Sequence, residues 1–525
     1  MADLLSYERL WWGGGLAIFM LLVLAVVAAS TRLPFTSDDV AVQNIMQSAW
    51  QYGRLDAVIG IDSFAIKVPL YAMVGLLLPN GHAALVVTVI LCDAILLAGL
   101  LFAVREVIER VAPRDRVVLV ATMLLMLWFF AAQFTQNQSL MIPNGRNAEI
   151  GLVIAASAVL LRGSDESDAR SPSRLGLSVM ASVVIALVCF SDPLFLFVAM
   201  PAFLGAVLVL WLRRSISSPR LIRVVVHVGA AGAVAVLFLL AARFLGIHYV
   251  GNFSTTFTAP GDLAANVGRA FAALAVDFNA DVWGGAVSAS ALPGVSQLTL
   301  FLLCAVLVAV GARRAARISV ALFALVAVIV NVAVFILTTN GSLPSNSRYV
   351  LFAAVLLLLL APVGLVSLRS YLGSRRVLGL VSVVALAGTG IGLGANSLTL
   401  VQGWSGALAD PQIGTTEIID RATELGLEQG YSDYWNGNIT TYLSGREVKV
   451  LPMVCDDKVS RYDWFINLPD FDNSPERQFF VVSDTRGCSE KDVVSQFGAP
   501  DKRIDLAESD ASMLVYDRTI VVPSR

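Results

Sequence analysis

The chain has 525 residues, of which 57% are hydrophobic and 14% charged, and its mean hydropathy is +0.74. That balance excludes a string of soluble domains, and 40 glycines, 19 prolines and five cysteines with no low-complexity tract exclude collagenous, disordered and disulfide-scaffold classes. The net charge of -2 conceals two bodies: residues 1–397 carry 25 basic and 18 acidic side chains (+7), whereas 398–525 carry 12 and 21 (-9). A basic-edged membrane bundle followed by an acidic tail, long enough to bury its own small core, is expected.

Continuous apolar runs lie near 11–30, 83–104, 117–133, 148–161, 175–191, 194–212, 224–245, 297–312, 318–339, 349–366 and 377–397. Each approaches the length that carries a helix across roughly 30 Å of hydrocarbon, so about eleven spans are predicted. The run 64–79 is a twelfth candidate, but it contains Lys67, Pro69 and Pro79, and counting it would put Arg105, Arg110, Arg114 and Arg116 outside. The positive-inside rule keeps it at the outer surface. The basic loops Arg105–Arg116, Arg162–Arg174, Arg213–Arg223, Arg313–Arg317 and Arg369–Arg376 then face the cytoplasm with 17 of the 25 basic residues. The amino terminus falls inside and the tail outside. The leader carries Asp3, Glu8 and a single Arg9, which favours an uncleaved first span even though Ala28-Ala29-Ser30 has the composition of a cleavage site.

The first outer loop, 31–82, is expected to hold two helices lying along the membrane. In one, Ser37 or Asp38 is the N-cap, and Val40, Ile45, Met46, Ala49 and Trp50 form a stripe. In the other, Phe64–Leu78 is apolar with Lys67 near its start, the pattern of an interfacial helix. Asp38-Asp39 is the pair of interest. One acidic residue is explained by the helix N-terminus alone. Two adjacent carboxylates repel, which favours proton uptake by one of them and suits a general base.

Further charges fall at the same outer level. Arg146 precedes the fourth span with Glu149 at its mouth, Arg348 precedes the tenth, and Arg243 lies at the outer end of the seventh. Snorkelling to the interface explains each arginine alone. Together, against the positive-inside trend, they suit a bound phosphate or diphosphate. Asp192, followed by Pro193, reads as a local helix start. Asp93 lies within a span, where a carboxylate faces a cavity or a partner. In the second outer loop, 246–296, Asp277, Asp281 and Trp283 offer contacts to sugar hydroxyls or to an oxygen-ligated cation, and a solvated loop explains them equally well. His82, His227 and His248 have no metal-ligand spacing. No cofactor is assigned, a divalent cation stays open, and nucleic acid is not an expected partner.

This arrangement resembles the GT-C superfamily of membrane glycosyltransferases, such as protein O-mannosyltransferases and aminoarabinose transferases. The likeness lies in the inside amino terminus, the acidic pair within Ser37–Asp39, the two surface helices, the multi-span bundle, Arg348-Tyr349 opening a late span, and the exported carboxy-terminal domain. It implies a polytopic α-helical bundle with a small extracytoplasmic α/β domain, in the plasma membrane. It also implies a polyprenyl-phosphate sugar donor, a glycan, lipid or protein acceptor, and an acidic residue of the first outer loop as base. Carried onto this sequence, the base is Asp38 or Asp39, and donor phosphate binding falls on Arg348, Arg146 and Tyr349. Glu149, Asp192, Asp93 and Arg243 are left as cavity residues. The pair here is Asp-Asp where several members have Asp-Glu, and the tail lacks a long acceptor-peptide motif. A single displacement at the sugar would invert its anomeric carbon, so one base suffices where hydrolases use two carboxylates.

In the tail, helices are expected at Thr415–Leu427, Tyr434–Leu443 and Ser489–Phe497, and strands at Val448–Leu451, Phe479–Val482, Ile504–Leu506 and Met513–Tyr516. A small α/β layer fold follows. Cys455 and Cys488 both fall in the exported tail and are expected to pair, while Cys92, Cys189 and Cys304 read as small packing residues in spans. Tyr431, Tyr434, Trp435, Trp464 and Asp433 have the composition of a carbohydrate surface, and packing of the tail onto the bundle explains the same aromatics. A flippase or transporter, with Asp93 in its pathway, and a non-catalytic envelope assembly protein are the rival classes.

Overall fold

Helix length sorts the apolar runs into two groups. The structure is a computed structural model and describes residues 2–60, 65–78, 81–109, 146–162, 172–249, 256–280, 291–339, 344–372 and 401–524, brief gaps apart. In chain order its amino-terminal part comprises α1 (Ala2–Ser30), α2 (Ser37–Tyr52), β1 (Ala57–Ile59), α3 (Lys67–Leu77), α4 (His82–Glu109), α5 (Asn147–Arg162), α6 (Pro172–Ser191), α7 (Leu194–Leu212), α8 (Ser218–Ala242), β2 (Ile247–Tyr249), α9 (Leu263–Asp277), α10 (Leu292–Ala315), α11 (Ser319–Leu337) and α12 (Leu351–Leu372). Among the described residues seven helices, α1, α4, α7, α8, α10, α11 and α12, are long and apolar enough to cross a membrane. The runs 148–161 and 175–191 form shorter apolar helices, and the expected spans 117–133 and 377–397 fall largely outside the described residues. Helix α3 has 11 residues and rises about 16 Å, too short to cross.

Glycines set how closely these helices approach. A Cβ on Gly151 of α5 would lie 2.5 Å from the Ile95 carbonyl oxygen of α4, and one on Gly364 of α12 would lie 1.8 Å from the Leu307 carbonyl oxygen of α10. Backbone-to-backbone packing of this kind is how helices gain contact in lipid, where no hydrophobic drive separates one apolar surface from another. The α4–α5 crossing also fixes the register of the polar side chains that α4 and α5 carry. Helix α12 is apolar on all sides and almost wholly buried, so it forms the centre of the bundle.

The carboxy-terminal part comprises α13 (Ile413–Glu424), β3 (Gln429–Ser432), α14 (Tyr434–Leu443), β4 (Lys449–Cys455), β5 (Val459–Arg461), β6 (Ile466–Asn467), β7 (Gln478–Val482), α15 (Glu490–Phe497), β8 (Lys502–Leu506) and β9 (Ala511–Tyr516). Six strands form a mixed sheet in the order β5-β4-β3-β7-β9-β8, parallel from β4 to β7 and antiparallel at both sides. Tyr431, Phe480 and Tyr516 pack on one another within its core. Ser489 and Asp492 form a capping box at the start of α15. Cys455 and Cys488 are disulfide-bonded, with Cα atoms 5.2 Å apart.

A second, three-stranded sheet was absent from the expected elements. Its order is β2-β1-β6, so it joins the first outer loop, the segment after α8 and the tail. The Asp56 N–H donates to Asn467 Oδ1 at 2.8 Å, and the Leu468 N–H returns to the Asp56 carbonyl at 2.8 Å. Beside it, α14 lies against α2: Asn44 Nδ2 donates to the Asn438 carbonyl at 2.6 Å, and Ser37 Oγ donates to the Trp435 carbonyl at 3.0 Å. The tail is thereby pinned to the helix that begins with the acidic pair.

Candidate active site

Two carboxylates adjacent in sequence have different partners. Thr36 is the N-cap of α2, and its N–H and hydroxyl both donate to Asp39 Oδ2, at 2.7 and 2.9 Å. Asp39 is fully buried and completes the capping box. Asp38 is half-buried, and its Oδ1 accepts a 2.5 Å hydrogen bond from the Tyr434 hydroxyl at the start of α14. The structure thus separates the pair: Asp39 has a local task, and Asp38 reaches across to the tail.

On the bundle side, the α4–α5 crossing brings Asp93 to Asn147, whose Nδ2 donates to Asp93 Oδ1 at 2.6 Å. Two residues on, the Glu149 carboxylate accepts from Ser191 Oγ at 3.1 Å, and Ser191 Oγ in turn accepts the Ile66 N–H at 3.2 Å. That bond holds the start of α3. Lys67, the next residue, is fully buried, and its charge acts on Glu149 and Cys92. Sequence reasoning treated Lys67 as an interfacial lysine; the structure turns it inward. The available signal was its place among the few basic residues of the outer loops.

Tyr71, one helical turn after Lys67 and also buried, is the electrostatic neighbour of Cys92, Asp39, Glu149 and Tyr442. Burial, reinforced by these neighbouring acidic groups, pushes its hydroxyl well above the usual phenol range. Tyr71 therefore keeps its proton, within electrostatic reach of Asp39 and Glu149.

Arg146 Nε pairs with Asp192 Oδ2, both groups being buried. Asp192 Oδ1 also accepts the Leu194 N–H at 3.0 Å, so the expected helix-start role and a charge partner coexist in one residue. The Arg146 and Arg348 guanidinium carbons lie 4.9 and 5.4 Å from the Tyr349 ring centroid, so one ring contacts both cations. Arg348 is the more accessible of the two. Asp277 is fully buried at the end of α9, which removes the solvated-loop alternative for it. Burial pushes its carboxyl well above the usual range, opposed by a hydrogen bond from Ser347, the residue before Arg348. Arg243 is exposed in a short 3-10 turn after α8 and joins none of these groups among the contacts described, contrary to its placement with the cavity residues. Asp281 and Trp283 lie outside the described residues. Among the described residues no group of three or more His, Cys, Asp or Glu is placed to hold a metal ion.

Two cavities flank the helix pair α2 and α14. One, of about 630 Å³, is lined by Met46, Trp50, Tyr71, Leu76, Leu78 and Tyr442 among others. It opens beside side chains that face outward, Trp50 at 91% and Leu76 at 86% exposure. The other, of about 690 Å³, is lined by Asp433, Tyr434, Trp435, Met453, Val454, Cys455, Tyr462 and Gly487. Tyr434 and Tyr71 connect these cavities to Asp38 and to the bundle carboxylates. A third cavity, of about 780 Å³, lies at the far end of α7 around Arg214 and Arg220 and has no carboxylate in its lining.

The architecture is similar to that of ArnT from Cupriavidus metallidurans. The crystal structure of that protein bound to undecaprenyl phosphate matches with a TM-score of 0.57 at 15% identity, over 98% of this chain and 99% of that chain. Its apo structure matches with a TM-score of 0.57 at 13% identity over the same shares. The chain has the ArnT fold. Neither a family model nor a curated protein matches the sequence. The match runs through bundle and tail alike, so the likeness is to the whole arrangement and not to a helical bundle alone.

Proposed function

We propose that the protein is a membrane glycosyltransferase that moves a sugar from a polyprenyl-phosphate donor to an acceptor on the outer face, with inversion. The observation that carries this reading is the position of Asp38: an accessible carboxylate, held by Tyr434, at the meeting of tail and bundle in a chain with the ArnT fold. The ArnT crystal structure contains undecaprenyl phosphate, and the apolar cavity beside α3 suits a lipid of that class here.

In this mechanism Asp38 removes the proton from the acceptor hydroxyl as that oxygen attacks the anomeric carbon, and the bond to the lipid phosphate breaks on the opposite face. The departing phosphate gains negative charge. Lys67 and Arg348 are the cations assigned to it, acting where water is excluded and a fixed charge counts for more. Arg146 is neutralised by Asp192 and serves to position Tyr349 and, through that ring, Arg348. Asp39 holds the helix start that aims Asp38. Glu149 and Ser191 fix α3 and hence Lys67. The amino terminus is placed inside and the tail outside, in a plasma membrane, with 1–397 as bundle and 398–525 as tail domain. These assignments follow the arginine distribution.

The test compares envelope glycans, by mass spectrometry, in cells carrying the wild-type chain or Asp38→Asn. Loss of one glycan species in the variant, with the protein still inserted and still binding undecaprenyl phosphate, is the expected result. An unchanged glycan profile would overturn the reading.

A further inference from the structure

The cavity on the tail side combines three aromatic rings with one carboxylate. Its walls are the rings of Tyr434, Trp435 and Tyr462, the end of β4 at Met453–Cys455, the Asp433 carboxylate and Gly487. The rings meet edge to face: Tyr434 is 5.3 Å from Trp435 at 72° and 5.6 Å from Tyr462 at 70°. Trp435 is 53% exposed although it belongs to a well-packed helix. A large aromatic side chain kept half in water beside a carboxylate matches the two faces of a sugar ring, whose C–H groups pack on the aromatic surface while its hydroxyls donate to the acid.

The cavity is also built before anything binds. Asp433 Oδ1 accepts the Trp435 N–H at 2.8 Å and Oδ2 accepts Asn436 Nδ2 at 2.7 Å, which fixes both the carboxylate and the helix start. Gly487 has φ +74°, and a Cβ there would come within 2.7 Å of Asp433 Cβ, so only glycine can form this wall. The adjacent Cys488 is bonded to Cys455 on the neighbouring wall. Preformed walls reduce the ordering cost of binding.

Position identifies the occupant's role. The other cavity joins the outward Trp50 and Leu76 to a rim of Gln43, Gln47, Gln51, Arg446 and Glu447, a combination that suits a lipid with a charged head and leaves the tail side to the hydrophilic substrate. Tyr434 is a wall of the tail cavity, and its hydroxyl donates to Asp38. We infer that this cavity seats the acceptor, and that the acceptor is a saccharide stacked on Trp435 with a hydroxyl delivered to Asp38. The inference rests on the transferase reading above. Its volume of about 690 Å³ lies within the usual range of small-ligand sites, about 300–1,000 Å³, and admits a short oligosaccharide.

The test uses the full-length protein in nanodiscs and oligosaccharides released by mild acid from the envelope of the producing cell, with envelope peptides as the competing acceptor class. Retention of both pools on immobilised protein is measured for wild type, Trp435→Ala and Trp435→Phe, and the envelope glycans of cells carrying each variant are analysed in parallel. Wild type is expected to retain oligosaccharides and not peptides. Trp435→Ala should lose that retention and reduce the glycan product at least tenfold while binding undecaprenyl phosphate as wild type does, and Trp435→Phe should restore most of both. Peptide retention, no oligosaccharide retention by wild type, or a Trp435→Ala variant with wild-type product would overturn the inference. Failure of the transferase reading is separate: there, Asp38→Asn itself leaves the glycans unchanged.

Discussion

The two sides of α2 solve opposite problems. On the bundle side, ionisable groups are sunk out of water beside fixed partners: Arg146 pairs with Asp192, Asp93 accepts from Asn147, and Glu149 accepts from Ser191 within electrostatic reach of Lys67. On the tail side, Asp433 and Tyr434 are buried, the Trp435 ring is half-exposed, and the aromatic rings supply the shape. Burial makes a charge effective on a developing phosphate but fixes it to one geometry. An aromatic cavity with one half-exposed ring gives weaker forces and tolerates exchange of substrate. Asp38 and Asp39 stand where the two regimes meet, and the structure gives one residue to each kind of task.

This contrast can be broken from either side. The largest effect is expected from Gly151→Leu, because the side chain would collide with the α4 backbone at Ile95 and force apart the helices carrying Asp93, Asn147 and Glu149; little or no monodisperse protein should be recovered after detergent extraction. On the tail side, replacing Cys455 and Cys488 by serine releases a loop closed across 33 residues of sequence. A loss of about 3–4 kcal/mol is expected in the chain-entropy estimate, read as a lower Tm of the tail's tryptophan fluorescence transition, with undecaprenyl phosphate binding retained.

Lys67→Gln should do the reverse, leaving the tail transition in place and weakening undecaprenyl phosphate binding roughly ten- to a hundredfold, or about 1.4–2.8 kcal/mol. Wild-type affinity in that variant would remove Lys67 from the phosphate. The smallest effect belongs to Asp492, far from both cavities. Hydrogen bonds from the Ser489 hydroxyl and N–H hold its carboxyl below the usual range, so its contribution to stability is present above the ordinary Asp range and is lost as pH falls through the depressed value. Acid titration of Asp492→Asn should show a shallower loss of tail stability below about pH 4 than wild type, with transfer activity unaffected.

The two regions also differed in how far sequence reveals them. The tail's helices and strands lie close to the positions that local patterning indicates: Tyr434–Leu443 was expected as a helix and is one, and the Ser489 capping box begins the last helix. Its edge strand β5 was missed because three residues carry no period. The β2-β1-β6 sheet was invisible for the same reason, compounded by its assembly from segments about 190 and more than 400 residues apart. In the bundle, hydropathy locates the long helices, but it assigns a lysine on an apolar run to the interface. Only the packing of α3 under Ser191 and Glu149 shows that Lys67 is buried. Asp277 was left open in the same way, since the apolar composition of α9 does not show that the carboxylate at its end turns inward.

The central claim, that Asp38 and not its neighbour is the base, is tested most directly by single-turnover transfer with saturating donor and acceptor in Asp38→Asn and Asp39→Asn. The account predicts a fall of about 10²–10⁴-fold for Asp38→Asn with undecaprenyl phosphate affinity unchanged. For Asp39→Asn it predicts a loss of about 1 kcal/mol of stability and a far smaller fall in rate. Equal losses in both variants, or a larger loss in Asp39→Asn at full stability, would contradict it.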